Sequence, residues 1–154
     1  MKVLITGAAG LLGANFTRHL IDKGYDIVGI DDFSGGYKSS VPDGIRMYTQ
    51  DLIEAKRVNE IFENEKPDYV YHFAAYAAEG LSPFIRNYNY TNNILCSINV
   101  INACVNNDVK KVIFTSSMAI YGEGNPPFTE DQPAFPEDPY GIAKYAVEQD
   151  LRLA

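Results

Sequence analysis

Lys2-Val3-Leu4-Ile5-Thr6-Gly7-Ala8-Ala9-Gly10-Leu11-Leu12-Gly13 is the stretch of sequence that decides the fold. A short apolar run over Lys2–Thr6 has the character of a buried strand. It leads into three glycines spaced G-x-x-G-x-x-G. Helical spacing follows over Gly10–Lys23, at Leu12, Phe16, Leu20 and Ile21, with Gly24 as a natural stop. Strand, glycine turn and helix are together the context that a dinucleotide site requires. Gly7 permits a tight turn, Gly10 lets the backbone approach a phosphate, and Gly13 lets the helix pack close to the strand. The helix start then offers unpaired N–H groups and a partial positive charge to a pyrophosphate.

Outward from that turn, strand-like and helix-like segments alternate. Asp26–Ile30 is a second apolar strand, ending at Asp31-Asp32. A polar loop with Ser34, Gly35, Gly36 and Pro42 leads to a weaker strand at Arg46–Thr49. Glu54–Lys66 reads as a helix with Val58, Ile61 and Phe62 on one face, broken by Pro67-Asp68 before the strand Tyr69–His72. Asn92–Val105 is a longer helix and Lys111–Thr115 a fifth strand. Gly122–Pro139 holds five of the eight prolines and reads as an ordered loop. Asp138-Pro139 signals a last helix from Tyr140 onward. Strands separated by helical crossovers predict a parallel sheet covered on both faces, an α/β doubly wound fold over residues 1–154.

Composition narrows the partners. The chain has 154 residues, room for about one domain. Its 46% apolar and 21% charged residues are ordinary globular usage. Twenty acidic against 13 basic residues give a net charge of −7, the wrong sign for a nucleic-acid backbone. No apolar run reaches the roughly 18 residues of a membrane span, and the amino terminus enters a strand without a signal peptide. Cys96 and Cys104 lie two helical turns apart, roughly 12 Å, too far for a disulfide. A reduced, cytoplasmic chain is expected. His19 sits beside Arg18 on a polar helix face and His72 ends a buried strand. Neither has metal-ligand company, so no metal is expected.

Two further features carry chemistry. Asp31 lies 18 residues beyond Gly13, near the roughly 20-residue spacing of a ribose-binding acid. Asp31 and Asp32 would repel a 2′-phosphate, which favours NAD over NADP; read by themselves they could simply open a solvated turn. Tyr140 and Lys144 are four apart at a helix start, hence on one face. A phenol with a pKa of about 10 is a poor base at neutral pH. A neighbouring ammonium and the positive charge of an oxidised nicotinamide both favour phenolate. Taken alone, the same pair reads as a packed Tyr beside a Lys ion-paired to Glu148.

With these motifs in order, the chain resembles the extended short-chain dehydrogenase/reductase family, and within it the NAD-dependent nucleotide-sugar epimerases and dehydratases. The resemblance implies a Rossmann fold in which Gly7, Gly10, Leu11, Leu12 and Gly13 line the pyrophosphate. It assigns Asp31, Asp32, Phe33, Ser34, Gly35 and Gly36 to the adenosine ribose and Asp51-Leu52 to adenine. His72-Phe73-Ala74-Ala75 would pass beneath the cofactor. Asn93 matches the Asn of the N-x-x-G-[ST] segment, with Cys96 in place of its Gly. Thr115-Ser116-Ser117-Met118-Ala119-Ile120-Tyr121-Gly122 matches the S-S-x-x-x-Y-G segment. The resemblance makes Ser117, Tyr140 and Lys144 the catalytic set, with Tyr140 and Lys144 also at the cofactor and Lys144 holding the nicotinamide ribose.

The related sugar dehydratases carry Thr-Asp-Glu where Ser117-Met118-Ala119 stands here, and Met and Ala cannot shuttle a proton. Epimerisation at C4 of a UDP-sugar through transient hydride transfer to NAD is therefore the expected reaction. A dehydratase or net oxidoreductase on the same scaffold is the enzymatic alternative, and a non-catalytic NAD-binding module the alternative of another class. The resemblance also implies further strands and a carboxy-terminal substrate domain beyond residue 154. The fifth strand, left with one neighbour, and the helices Asn92–Val105 and Tyr140–Leu151 are expected to drive self-association, a homodimer being the expected state.

Overall fold

The computed structural model describes residues 1–154. Five strands form one all-parallel sheet: β1 (Lys2–Thr6), β2 (Asp26–Asp31), β3 (Arg46–Thr49), β4 (Tyr69–His72) and β5 (Lys111–Phe114). Their order is β3-β2-β1-β4-β5. The chain winds outward from β1 to β3, then crosses to β4 on the other side of β1, which makes the β1/β4 boundary a topological switch point. Register aligns Thr6 with both Ile30 and His72, and His72 with Phe114. Gly7, Asp31, Phe73 and Thr115 each follow that row by one residue. They therefore stand along one edge of the sheet, the edge where ligands bind in open α/β folds.

The helices are α1 (Leu11–Asp22), α2 (Ala55–Glu65), α3 (Arg86–Tyr90), α4 (Cys96–Asn106) and α5 (Pro139–Leu151). A π turn at Thr91–Leu95 joins α3 to α4, and a 3₁₀ turn at Glu79–Phe84 precedes them. Alternation along β1 and β2 divides the core. Leu4, Val28 and Ile30 pack with Val58, Phe62, Val100 and Cys104 under α2 and α4. Val3, Ile5 and Ile27 pack with Ala8 and Leu20 under α1. Burial on both faces is why these strands are continuously apolar rather than alternating.

Two expectations from the sequence change. Of the apolar stripe expected on α1 at Leu12, Phe16, Leu20 and Ile21, Phe16 and Leu20 pack on the sheet and Leu12 and Ile21 are exposed. Gly13, Ala14, Thr17 and Leu20 are buried, while Leu11 and Leu12 are 82% and 58% exposed. The cause is close approach: a Cβ on Gly13 would lie 2.1 Å from the Gly7 carbonyl oxygen, so the helix meets the turn through small residues. The helix expected from Asn92 instead begins at Arg86. Its first turns are asparagine- and tyrosine-rich and show no apolar period, and two of their polar side chains, Asn89 and Asn93, are buried against one another.

Gly13→Ala and Gly7→Ala should each destabilise the fold by about 2–4 kcal/mol, since the new methyl meets backbone that cannot yield. At Gly7 it would also be 2.6 Å from Ala74 N, on a φ of +69°. Gly35→Ala, with open space around it, should change stability by less than about 1 kcal/mol. Urea unfolding of the three variants checks the contrast.

Candidate active site

The glycine turn spends most of its N–H groups holding its own shape. Gly7 and Ala8 donate to the Ile30 carbonyl at 2.9 and 3.3 Å, and Gly10 donates to the Gly7 carbonyl at 3.1 Å. Ala9 N–H donates to Asp31 Oδ2 at 2.9 Å. The next three N–H groups, of Leu11, Leu12 and Gly13, have no acceptor within the chain, and no side chain caps the helix. Three convergent donors on the positive end of a helix dipole suit the charge of a pyrophosphate.

Asp31 ties the end of β2 to that turn. Its Oδ1 accepts from Phe33 N–H at 2.8 Å while Oδ2 holds Ala9, leaving lone pairs on both oxygens for ribose hydroxyls. Asp32 Oδ1 accepts from both the N–H and the hydroxyl of Ser34, which fixes the turn around left-handed Phe33 (φ 62°). Gly36 abuts the turn itself: a Cβ there would lie 2.7 Å from the Ala9 carbonyl. Asp51 Oδ1 caps Ile53 N–H at 2.9 Å, and the buried Asn99 amide donates to the carbonyls of Leu52 and Ile53.

These segments enclose a cleft of about 200 Å³. Of the residues anticipated for a cofactor, Gly7, Gly10, Asp31, Asp32, Ser34, Gly35, Gly36, Asp51, Leu52, Phe73, Ala74 and Ala75 line it. Leu11, Leu12, Gly13, Phe33, Asn93, Tyr140 and Lys144 do not. Ile30, Gln50, Tyr76, Tyr88, Asn92 and Cys96 line it without having been anticipated. The neighbours Asn92 and Asn93 have changed places relative to expectation. Asn92 faces the cleft, whereas Asn93 is buried beneath it, accepting from Tyr76 N–H at 2.8 Å and donating to Tyr76 O at 3.1 Å. No Lys or Arg lines the cleft, and three carboxylates do. The turn, the free donors and Asp31 fit a dinucleotide without a 2′-phosphate.

Ser117, Tyr140 and Lys144 stand at the same sheet edge. Asp138 Oδ1 accepts from Tyr140 and Gly141 N–H at 2.8 and 2.9 Å, so α5 starts at Pro139 with a well-capped first turn. Tyr140 is 8% and Lys144 3% exposed. Lys144 Nζ donates to Thr115 O at 2.9 Å and lies 4.7 Å from the Phe114 ring centroid and 5.7 Å from that of Tyr140. Ser117 Oγ also caps its own turn, accepting from Ala119 N–H at 3.2 Å.

The expected electrostatics of the pair are corrected here. Burial raises the Tyr140 pKa; a hydrogen bond with Ser117 opposes this, and the charges of Glu79 and Asp138 add to it. The Lys144 ammonium, 5.7 Å from the centroid of the phenol ring, spends a proton on Thr115 O. Burial pushes Lys144 itself down to about 8.

His72 is a structural histidine. Thr6 Oγ1 lies 2.6 Å from its Nδ1 and Ser97 Oγ 2.9 Å from its Nε2. Ser97 donates its own proton to Asn93 O, so the chain of donors is consistent with a neutral ring protonated on Nε2. Burial, helped by the charge of Lys144, lowers its pKa to about 3. No group of three His, Cys, Asp or Glu side chains converges to hold a metal ion. No helix is long and apolar enough to cross a membrane.

A parallel sheet wound from a central switch point, with a phosphate-binding turn and a Ser/Tyr/Lys set on one edge, defines an NAD-dependent Rossmann enzyme class. The chain belongs to the NAD dependent epimerase/dehydratase family, whose model matches residues 3–154. It is 34% identical to UDP-glucose 4-epimerase of Azospirillum brasilense, over 99% of this chain and 44% of that protein. Against UDP-glucose 4-epimerase of Lactobacillus helveticus it is 35% identical, over 100% of this chain and 47% of that one. Among solved structures, UDP-glucose 4-epimerase of Thermotoga maritima with UDP-glucose superposes with a TM-score of 0.96 at 33% identity, covering 99% of this chain and 50% of that one. The UDP-glucose 4-epimerase of Thermus thermophilus in complex with NAD gives 0.96 at 31%, again with 99% and 50% coverage. The chain spans about half the length of these relatives.

The buried ammonium has a stability signature. Its folded pKa of about 8 lies below the ordinary 10.5, so the unfolded chain holds more protons across that interval and this group makes stability rise with pH through it. Below about pH 8 the full penalty is present. Lys144→Met should therefore stabilise the fold at pH 7 by about 1–3 kcal/mol, with the gain shrinking toward pH 10. Urea unfolding of both proteins at the two pH values measures it.

Proposed function

We propose that the protein carrying this chain epimerises a nucleotide-sugar at C4, with NAD held on the glycine turn. The observation that carries the reading is the shared edge. Lys144 grips Thr115, one residue past the strand row that also ends in Thr6 and His72. The tyrosine helix is thereby fixed beside the strand ends that hold the cofactor cleft. Bound NAD supplies a reversible hydride acceptor and, when oxidised, a positive charge. Leu11, Leu12 and Gly13 N–H groups would hold its pyrophosphate, and Asp31 its ribose.

Tyr140 Oη takes the proton of the sugar C4 hydroxyl as hydride leaves C4, and returns it once hydride has come back to the opposite face. Burial raises the pKa of the phenol, and the positive charge of an oxidised nicotinamide held beside it would favour phenolate. Lys144 sets the height of the ring through Thr115 O and Phe114. Ser117 Oγ orients the reacting oxygen. Met118, 69% exposed beside Ser117, and Ala119 offer no acid for dehydration.

Activity on a UDP-sugar is supported by the relatives named above. A homodimer is supported by the apolar residues Leu95, Val105 and Ile142 exposed on α4, the π turn before it and α5. The free, buried Cys96 and Cys104 fit a reducing cytoplasm.

In the full-length protein, Tyr140→Phe should lower kcat for a UDP-hexose by about 10²–10⁴-fold with NAD affinity unchanged within about threefold. A product assay by chromatography with calorimetric titration of NAD tests both. A 4-keto-6-deoxy product, net NADH release, or NAD binding with no turnover would each replace the epimerase reading with one of its alternatives.

A further inference from the structure

Three side chains that the proposed chemistry does not use are buried between the tyrosine helix and the cofactor floor. Ser82, Asn89 and Asn93 are all 2% exposed or less. Asn89 Nδ2 donates to Pro139 O at 2.9 Å, the carbonyl next to Tyr140. Asn89 Oδ1 accepts from Asn93 Nδ2 at 2.8 Å. Asn93 spends its other amide proton on Tyr76 O and accepts from Tyr76 N–H, so its orientation is fixed: a flipped amide would set donor against donor. Ser82 Oγ adds a second tie, accepting from Tyr140 N–H at 3.2 Å while bridging Glu79 O and Asp138 Oδ1. The backbone of the catalytic tyrosine is thus joined through two amides to the backbone of Tyr76, which lines the cofactor cleft.

We propose that Asn89 and Asn93 are positioning residues that set the Tyr140 phenol at a fixed distance from the cofactor floor. This rests on the hydride-transfer reading of the site. Geometry supplies the reason. Proton and hydride must leave one carbon for two acceptors held by different elements, Tyr140 on α5 and NAD on the strand ends. Misplacement of either by about 1 Å costs about 10²-fold. Asn93 itself lies in the π turn at Thr91–Leu95, which joins Asn89 on α3 to α4, an irregularity of the kind found at functional sites. Asn93 O also accepts from Ser97, which contacts His72, which contacts Thr6; Thr6 Oγ1 in turn accepts from Ala74 N–H at 3.3 Å. The clamp therefore reaches a second cleft residue.

The test uses the full-length, NAD-loaded protein. Asn89→Ala and Asn93→Ala should each lower kcat ten- to a hundredfold, with KM for the UDP-sugar and Kd for NAD within threefold. The double variant should be no slower than the worse single one, because both break the same clamp. Asn89→Leu, which keeps the branched shape and heavy-atom count without the amide, should lose kcat equally. If Asn89→Leu retains kcat within threefold, or NAD affinity falls with kcat, the proposal is overturned. If neither Asn89 variant folds, the residue holds the fold and the proposal also fails.

A readout without turnover separates this from failure of the epimerase reading. Difference absorbance titration of NAD-loaded protein, with Tyr140→Phe as the blank, reports the phenol among Lys144, Glu79 and Asp138, the charged groups that surround it. Its midpoint should move by half a pH unit or more in Asn89→Leu. An unmoved midpoint overturns the clamp even if wild-type turnover is found. A moved midpoint supports it even if the sugar chemistry proves different.

Discussion

The structure depends on the backbone-to-backbone contact at Gly7. The turn leaving β1 presses on Phe73 and Ala74 leaving β4, with no room for a side chain between them. Gly13 and Gly36 remove the remaining obstacles, one against the turn's own carbonyl and the other against Ala9. Three strand exits can therefore close to within bonding distance, and Asp31 seals the junction through Ala9 N–H. A packed turn of this kind leaves only the helix-start donors free. That is why the anion-binding groups are backbone and why they need no basic residue.

Charge is distributed unusually for a cleft that receives a pyrophosphate. Its walls carry three carboxylates and no cation, so attraction comes from N–H dipoles, which act only at short range. Such a site discriminates sharply against an additional phosphate on the ribose. The one nearby ammonium, Lys144, is buried under Phe114 and Tyr140 at a cost in stability. Retaining a desolvated cation in the core is the kind of local penalty that functional sites carry and cores otherwise avoid.

Polar burial continues along α3 and α4. Asn89, Asn93, Ser97, Asn99 and His72 are all buried and all hydrogen-bonded. Each grips backbone at the ligand-facing edge or the next side chain that does. Apolar residues at the same positions would give an equally dense core without fixing where the loops lie. The helix pair thus serves as a frame for irregular backbone: Tyr76, Leu52 and Pro139 each have a carbonyl held by one of its amides.

The sequence by itself determined the five strands, the sheet class and the glycine turn, and it nominated the candidate site residues. These follow from short-range rules: apolar runs, glycine spacing, and a Tyr and Lys four apart. It misjudged what depends on contacts between distant segments. The first turn of α1 packs through Gly13 lying against Gly7, not through Leu11 and Leu12. The start at Arg86 was hidden because Asn-rich turns gain their stability from partners far along the chain, such as Pro139. Asn92 and Asn93 differ by one position, and only the π turn decides which of them faces the cleft. The direction of the Tyr140 shift was likewise a tertiary matter, since it turns first on how deeply packing buries the phenol. Spacing fixes which side chains can meet; packing fixes how they are aimed and how dry their surroundings are.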